Sequence, residues 1–185
     1  EFRRVLFRSC KKINPAVFDV WMRILQRVPG SVLWLHQDNA DQVANLRREA
    51  EARGVDGSRL VLSGGLPLSD YLARYALADL FLDTWPYNAG ATGSDALWAG
   101  TPVLTYRGNT FASRYGASLL TALDMPELIT HSVEEYEALA VELALHPGKL
   151  AHIRKRLAHG RQHGAADAVI GEIARRSTPG PGSTT

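Results

Sequence analysis

Short, uninterrupted apolar runs alternate along this chain with longer segments whose apolar residues recur every three or four positions, and that alternation restricts the fold more than any other feature. Ser31-Val-Leu-Trp-Leu35 and Arg59-Leu-Val-Leu62 suit strands buried on both faces of a parallel sheet. Upstream of the first run, Val17, Val20, Trp21, Ile24, Leu25 and Val28 fall at helical spacing, after an Asn14-Pro15 start signal and before Pro29-Gly30. Parallel neighbours need crossovers, and helical crossovers pack back onto the sheet. The expected fold is therefore α/β, a Rossmann-like open parallel sheet with helices on both faces.

The same reading predicts further helices over Asp41–Arg53, Ser69–Leu77, Ser94–Trp98, Ala112–Leu123, Val133–Leu145 and Pro147–Ala158. It predicts strands over Asp79–Leu82, Pro102–Thr105 and Glu127–Thr130. Gly54 can supply the left-handed conformation that ends the second helix. Residues 1–9 read as a foreign or truncated start, 10–176 as one lobe, and 177–185, rich in Ser, Thr, Pro and Gly, as a disordered tail.

With 185 residues, 45% hydrophobic and 22% charged, the chain has material for one ordinary core. A net charge of +2 with interleaved signs demands neither nucleic acid nor an anionic membrane. Cys10 is the sole cysteine, so an internal disulfide is excluded, and no apolar stretch approaches the roughly 20 residues of a membrane helix. The expectation is a soluble, cytoplasmic protein without nucleic-acid or membrane partners.

Ligands of open parallel sheets bind beyond the carboxyl ends of the strands. After Asp79-Leu-Phe-Leu82 comes Asp83-Thr-Trp-Pro-Tyr-Asn-Ala-Gly-Ala-Thr-Gly-Ser-Asp95, which runs straight into Ala96-Leu-Trp-Ala-Gly100. The small residues Ala89, Gly90, Ala91 and Gly93 allow a ligand close to the backbone, and the helix start behind them offers free N–H groups to a diphosphate. Asp95 is placed to accept hydrogen bonds from a ribose diol. Equally, Gly90 and Gly93 make a turn and Ser94 or Asp95 caps a helix. Neither G-x-G-x-x-G nor a P-loop is present, and no Asp-x-Asp or His/Cys cluster offers a metal site.

Several blocks in order resemble the O-linked N-acetylglucosamine transferases of the SPINDLY-like kind: Lys12-Ile-Asn-Pro with Trp21, Arg27-Val-Pro-Gly-Ser-Val-Leu-Trp-Leu35, Leu77-Ala-Asp-Leu-Phe-Leu-Asp-Thr84, Asn88 to Asp95, Ala96-Leu-Trp-Ala-Gly-Thr-Pro-Val103, and Thr110-Phe-Ala-Ser-Arg114. The similarity runs from about Lys11 to Leu157. It implies a glycosyltransferase B architecture, with this chain as the C-terminal lobe that binds the donor, UDP-N-acetylglucosamine. It further implies inverting, metal-independent transfer to Ser or Thr hydroxyls of proteins, with no cofactor beyond the donor substrate.

Carried over by position, Lys12 matches the family lysine that contacts the diphosphate and stabilises departing UDP. Gly90, Ala91 and Thr92 stand where many relatives have His-Thr-Thr; Ala91 and Thr92 match the phosphate-gripping pair and Asp95 the ribose-binding acid. Leu66 to Tyr71 matches the uracil pocket, where a backbone group at Leu66 reads the base. Leu68 and Tyr71 replace a Lys and a His; Leu68 cannot supply the charged contact, and Tyr71 either stacks on the base or packs in a helix. Arg114 lies in a matching block and equally serves to brace its loop.

Arg8 and Ser9 stand where the family has an Asn and an amide residue, so the native sequence is expected to begin near Cys10. The part expected to be missing holds tetratricopeptide repeats for protein acceptors and a lobe with catalytic histidines. His36, His131, His146, His152, His159 and His163 all lie outside the matched loop, and the last four are spaced like a solvated helix face. Relatives continue past Arg161-Gln-His-Gly-Ala-Ala with an apolar helix back to the other lobe, which this chain lacks. The fragment alone is expected to be inactive. The alternatives are a non-catalytic nucleotide-sugar-binding or interaction module, or a relative that uses another sugar donor.

Overall fold

A computed structural model describes residues 4–6 and 12–162 of the chain. Six strands form one parallel sheet in the order β3-β2-β1-β4-β5-β6. They are β1 (Arg4–Leu6), β2 (Val32–His36), β3 (Leu60–Ser63), β4 (Leu80–Leu82), β5 (Val103–Tyr106) and β6 (Ile129–Thr130). The flanking helices are α1 (Pro15–Arg27), α2 (Ala40–Ala52), α3 (Leu68–Tyr75), α4 (Ala91–Trp98), α5 (Tyr115–Ala122), α6 (Val133–Leu145) and α7 (Pro147–Gln162). This is the expected Rossmann-like sheet, and its order reverses between β1 and β4, where such sheets open a ligand crevice.

The largest difference from the sequence reading is β1. The pattern leaves residues 1–9 outside the domain, yet Arg4–Leu6 forms the middle of the sheet, with Val5 in register with Leu33 on one side and Leu80 on the other. Val5-Leu-Phe7, an apolar run of only three residues between arginines, carries too little periodicity to stand out. Cys10, Arg8, Ser9, His163 and the 177–185 tail lie outside the described residues.

Local chemistry explains the other boundaries. The side chain of Asn14 accepts from Val17 N at 3.0 Å and caps α1, with Pro15 in the first turn. Gly54, at φ +74°, follows the last turn of α2 as expected. Thr110–Ser113 closes on itself, with Thr110 N donating to Ser113 Oγ at 2.9 Å, so α5 begins at Tyr115 instead of Ala112. A single 3-10 turn at Pro126–Leu128 shortens β6 to Ile129–Thr130.

Trp21, Tyr75, Phe81, Leu82, Leu104 and Tyr136 are among the largest fully buried side chains. Each apolar side chain taken wholly from water contributes about 1.5–3 kcal/mol. Tyr136 joins the core to the crevice. Its hydroxyl receives the Trp21 indole N–H at 3.4 Å and donates to the Asp83 carbonyl at 2.9 Å, and its ring meets Trp85 edge-on at 4.9 Å. No described helix is long and apolar enough to cross a membrane.

Candidate functional site

The crevice lies beyond the carboxyl ends of β1 and β4, so Lys12, downstream of β1, meets the loop that follows β4. Lys12 Nζ donates to the Asn88 carbonyl at 3.0 Å and lies 4.3 Å from the centre of the Tyr87 ring. Burial pushes the Lys12 ammonium below its usual pKa, and attraction to Asp83 pulls the other way.

The loop itself is held by buried hydrogen bonds. Asp83 is fully buried; Oδ1 accepts from Thr84 N at 2.8 Å and Ala89 N at 2.6 Å, and Oδ2 accepts from the Thr105 hydroxyl at 2.7 Å. Burial raises its pKa to about 7 against the opposing pull of these donors and of Lys12. A Cβ on Gly116 would come within 2.5 Å of Asp83 Oδ2 and of Thr105 Oγ, so only glycine lets α5 approach this frame. Asn88 ties the far end, with Nδ2 donating to the Thr84 carbonyl at 2.7 Å and its own N–H donating to Ala112 O at 2.9 Å. Asn14 Nδ2 holds the Trp85 carbonyl at 2.6 Å, and the Trp85-Pro86 peptide is cis.

Helix α4 starts at Ala91, three residues earlier than expected, with Gly90 as its N-cap and no side chain capping it. Gly93 N and Ser94 N bond to Gly90 O at 3.0 and 3.1 Å, whereas Ala91 N and Thr92 N stand ahead of any acceptor within the helix. Ser94 and Asp95 therefore do not cap the helix. They lie inside it, and the N-terminus is open to an anion.

Asp95 faces α3, where its Oδ2 accepts from the Tyr71 hydroxyl at 3.0 Å. Tyr71 is 4% exposed, touches Tyr75 ring edge to ring face at 5.1 Å and shares a short hydroxyl contact with it. Of the two readings of Tyr71, the packed helix residue is the one that this burial fits; little ring surface is open to a base. Leu66 and Leu68 flank the Pro67 cap of α3, at 47% and 70% exposure. Arg74, unmarked in the sequence, is buried between the Trp34 and Tyr71 rings and donates to Ser63 Oγ at 2.6 Å, fixing the turn before Leu66. The structure thus ties Lys12 to Tyr87 and Asn88, just before the Gly90–Thr92 stretch, and separately links Asp95 to Tyr71 on α3, the helix that Leu68 opens.

Arg114 Nε reaches Gly108 O at 3.4 Å, which suits a loop brace. His146, His152 and His159 are exposed, on α7 or the residue before it, and His36 at the end of β2 lies 3.5 Å from Asp38. Two open cavities of about 560 Å³, one lined by Leu139, Leu143 and Ile153 and one by Arg107, Arg114 and His131, include neither Lys12 nor any residue of the Leu66–Tyr71 and Gly90–Asp95 stretches. A crevice at the edge of a single lobe is an open surface and not an enclosed cavity. Among the described residues no group of three or more His, Cys, Asp or Glu could hold a metal ion.

The model of glycosyl transferase family 41 matches residues 5–168. The UDP-N-acetylglucosamine–peptide N-acetylglucosaminyltransferase of Caenorhabditis elegans is 38% identical over 82% of this chain, and the probable Arabidopsis thaliana enzyme SEC is 37% identical over 84%. The chain spans 13% and 16% of the length of those two proteins. Among solved structures, a mutant of the Thermobaculum terrenum O-GlcNAc transferase superposes with TM-score 0.84 at 34% identity, over 94% of this chain and 35% of that one. Anabaena HepE, solved in complex with UDP-glucose, shares the fold at TM-score 0.63 and 17% identity, over 95% of this chain and 48% of that one. With its crossover sheet, its loop after β4 and these matches over most of its length, the chain belongs to glycosyl transferase family 41.

Proposed function

We propose that this lobe binds the UDP-sugar donor of a protein O-GlcNAc transferase, and that the whole protein transfers N-acetylglucosamine from UDP to Ser or Thr hydroxyls. The observation that carries the reading is the uncapped start of α4 beside Lys12. Backbone N–H groups of Ala91 and Thr92 would hold the diphosphate, Asp95 a ribose hydroxyl and the Leu66 backbone the base, with Leu68 lining that end and Tyr71 packed behind it, holding Asp95 through its hydroxyl. In the reaction the acceptor oxygen bonds to the sugar C1 while the C1–O bond to the diphosphate breaks with inversion. The electron pair leaves with UDP, and the acceptor proton passes to a base outside the residues assigned here. Lys12 stabilises the charge that accumulates on UDP, so that the step needs neither a metal ion nor a cofactor. Protein acceptors and a cytoplasmic setting belong to the same reading.

Gly90-Ala91, which lacks the imidazole and hydroxyl of many relatives, favours one alternative, a lobe that binds nucleotide sugar without catalysis. Calorimetric titration of UDP into the chain tests donor binding. Binding is expected, and Asp95→Ala is expected to weaken it roughly tenfold, the loss of one hydrogen bond to a charged group. A folded chain that takes up no UDP, or one indifferent to Asp95→Ala and Lys12→Met, would remove the reading.

A further inference from the structure

We propose that Asp83 is the positioning residue for Lys12, and that it acts through the single peptide group joining Asn88 to Ala89. The N–H of that peptide, on Ala89, donates to Asp83 Oδ1 at 2.6 Å; its C=O, on Asn88, accepts from Lys12 Nζ at 3.0 Å. In a trans peptide these two bonds point in opposite directions, so one rigid plane is gripped from both sides. A carboxylate on the N–H side polarises the amide and strengthens the carbonyl as an acceptor for the ammonium. The next residue, Gly90, is the N-cap of α4 and makes its own bonds to Gly93 and Ser94, so the plane acts on the cation and leaves the helix start to Gly90. Asp83 touches no ligand: it is fully buried, walled by Gly116 and Thr105.

Lys12 and, from α6, Tyr136 act electrostatically with Asp83; β5 presents the Thr105 hydroxyl to it and α5 the bare backbone of Gly116. Burial already lifts the Asp83 carboxyl to about 7, so the grip on the peptide changes within the neutral range. Protonation at Oδ2 reverses the Thr105 bond and leaves Oδ1 a neutral, weaker acceptor for two N–H groups. Asp83→Asn reproduces that neutral state in nearly the same shape.

The inference rests on Lys12 as the diphosphate-binding cation, and a double-mutant cycle on UDP affinity separates the two ideas. At pH 8, Asp83→Asn is expected to weaken UDP binding roughly tenfold, as a charge-assisted bond becomes a neutral one. The ratio of wild-type to variant affinity should fall to about one at pH 5.5, where wild-type Asp83 is protonated; titration of UDP itself cancels in that ratio. In the Lys12→Met background the Asp83 substitution should have no further effect. A loss of the same size at both pH values or in both backgrounds, or no loss at all, overturns the inference. If the wild-type chain takes up no UDP, the binding reading fails and the ligand-free amide decides. The Ala89 amide proton resonance should follow a titration near pH 7 that Lys12→Met moves upward and Asp83→Asn abolishes. An Ala89 resonance without that titration overturns the inference.

Discussion

At Asp83 the requirements of stability and of the site oppose each other. Its pKa is raised from the usual 3.8 to about 7, first by burial. Below about pH 4 folded and unfolded chains are both protonated at this group, and the fold keeps its full advantage. As pH rises through 7 the unfolded chain has already released its proton, so the preference of the native state for the acid form is lost as stability. A gap of about three units corresponds to about 4 kcal/mol at most. Asp83→Asn removes the charge, keeps an oxygen for Thr84 and Ala89, and offers an N–H₂ to the Thr105 oxygen. Its melting temperature should exceed that of the wild type at pH 8 by ~5–10 °C, with the difference closing towards pH 4.5. Thermal melts of both proteins across that range check this; parallel pH profiles would mean that burial does not hold Asp83 protonated. A variant that is more stable yet binds UDP less well would mark the carboxylate as kept for the site. Tyr136, whose hydroxyl braces the Asp83 carbonyl, has the ordinary sign: Tyr136→Phe should cost about 1 kcal/mol in denaturant melts.

Two glycines on neighbouring helices separate what α4 and α5 need. On α4, a Cβ at Gly93 would meet Ala89 Cβ at 3.7 Å and Leu119 Cδ1 at 3.8 Å, ordinary contacts at a backbone without positive φ. Gly93→Ala should therefore stabilise the chain by about 0.5–1 kcal/mol in urea melts through helix propensity, leaving the N–H groups of Ala91 and Thr92 in place. On α5, a Cβ at Gly116 collides with the buried Asp83–Thr105 pair, so Gly116→Ala should destabilise by about 1–3 kcal/mol, the usual cost of overpacking. Sequence alone could not tell these residues apart, because each is simply a glycine among small residues; the difference is what stands opposite. The same limit applies to Asp83, which reads as the first residue of a loop until Gly116, Thr105 and Lys12, distant in sequence, are brought around it. At Gly90, Ala91, Thr92 and Asp95 the small-residue stretch after a strand read equally as a turn or as a diphosphate loop, and Lys12 was singled out only by the resemblance, since a lysine beside Lys11 carries no pattern of its own. Tyr71 stayed undecided because aromatic periodicity fits packing and stacking alike.

At the scale of the whole molecule, the alternation of strand and helix was legible because burial on both faces of a sheet forces continuous apolar runs. The order of the strands was not, since it depends on β1, whose three residues carry almost no pattern of their own. That short strand has the most far-reaching position in the sheet. It pairs with β2 over Arg4–Leu6 and with β4 over Val5–Leu6, and without it the backbone groups on the facing edges of both neighbours lose their partners. It also leads to Lys12, so the cation reaches the crevice only if β1 is seated beside β4. A chain starting at Cys10 would keep the helices and the α4 N-terminus but split the sheet into β3-β2 and β4-β5-β6. The expected result is a broad, low thermal transition with substantial helical circular dichroism, together with loss of the UDP binding expected of the 185-residue chain. A sharp transition within a few degrees of the 185-residue chain would instead mean that β2 and β4 can close on each other. The crevice would then form between different strands from those that carry Lys12 and the loop after β4.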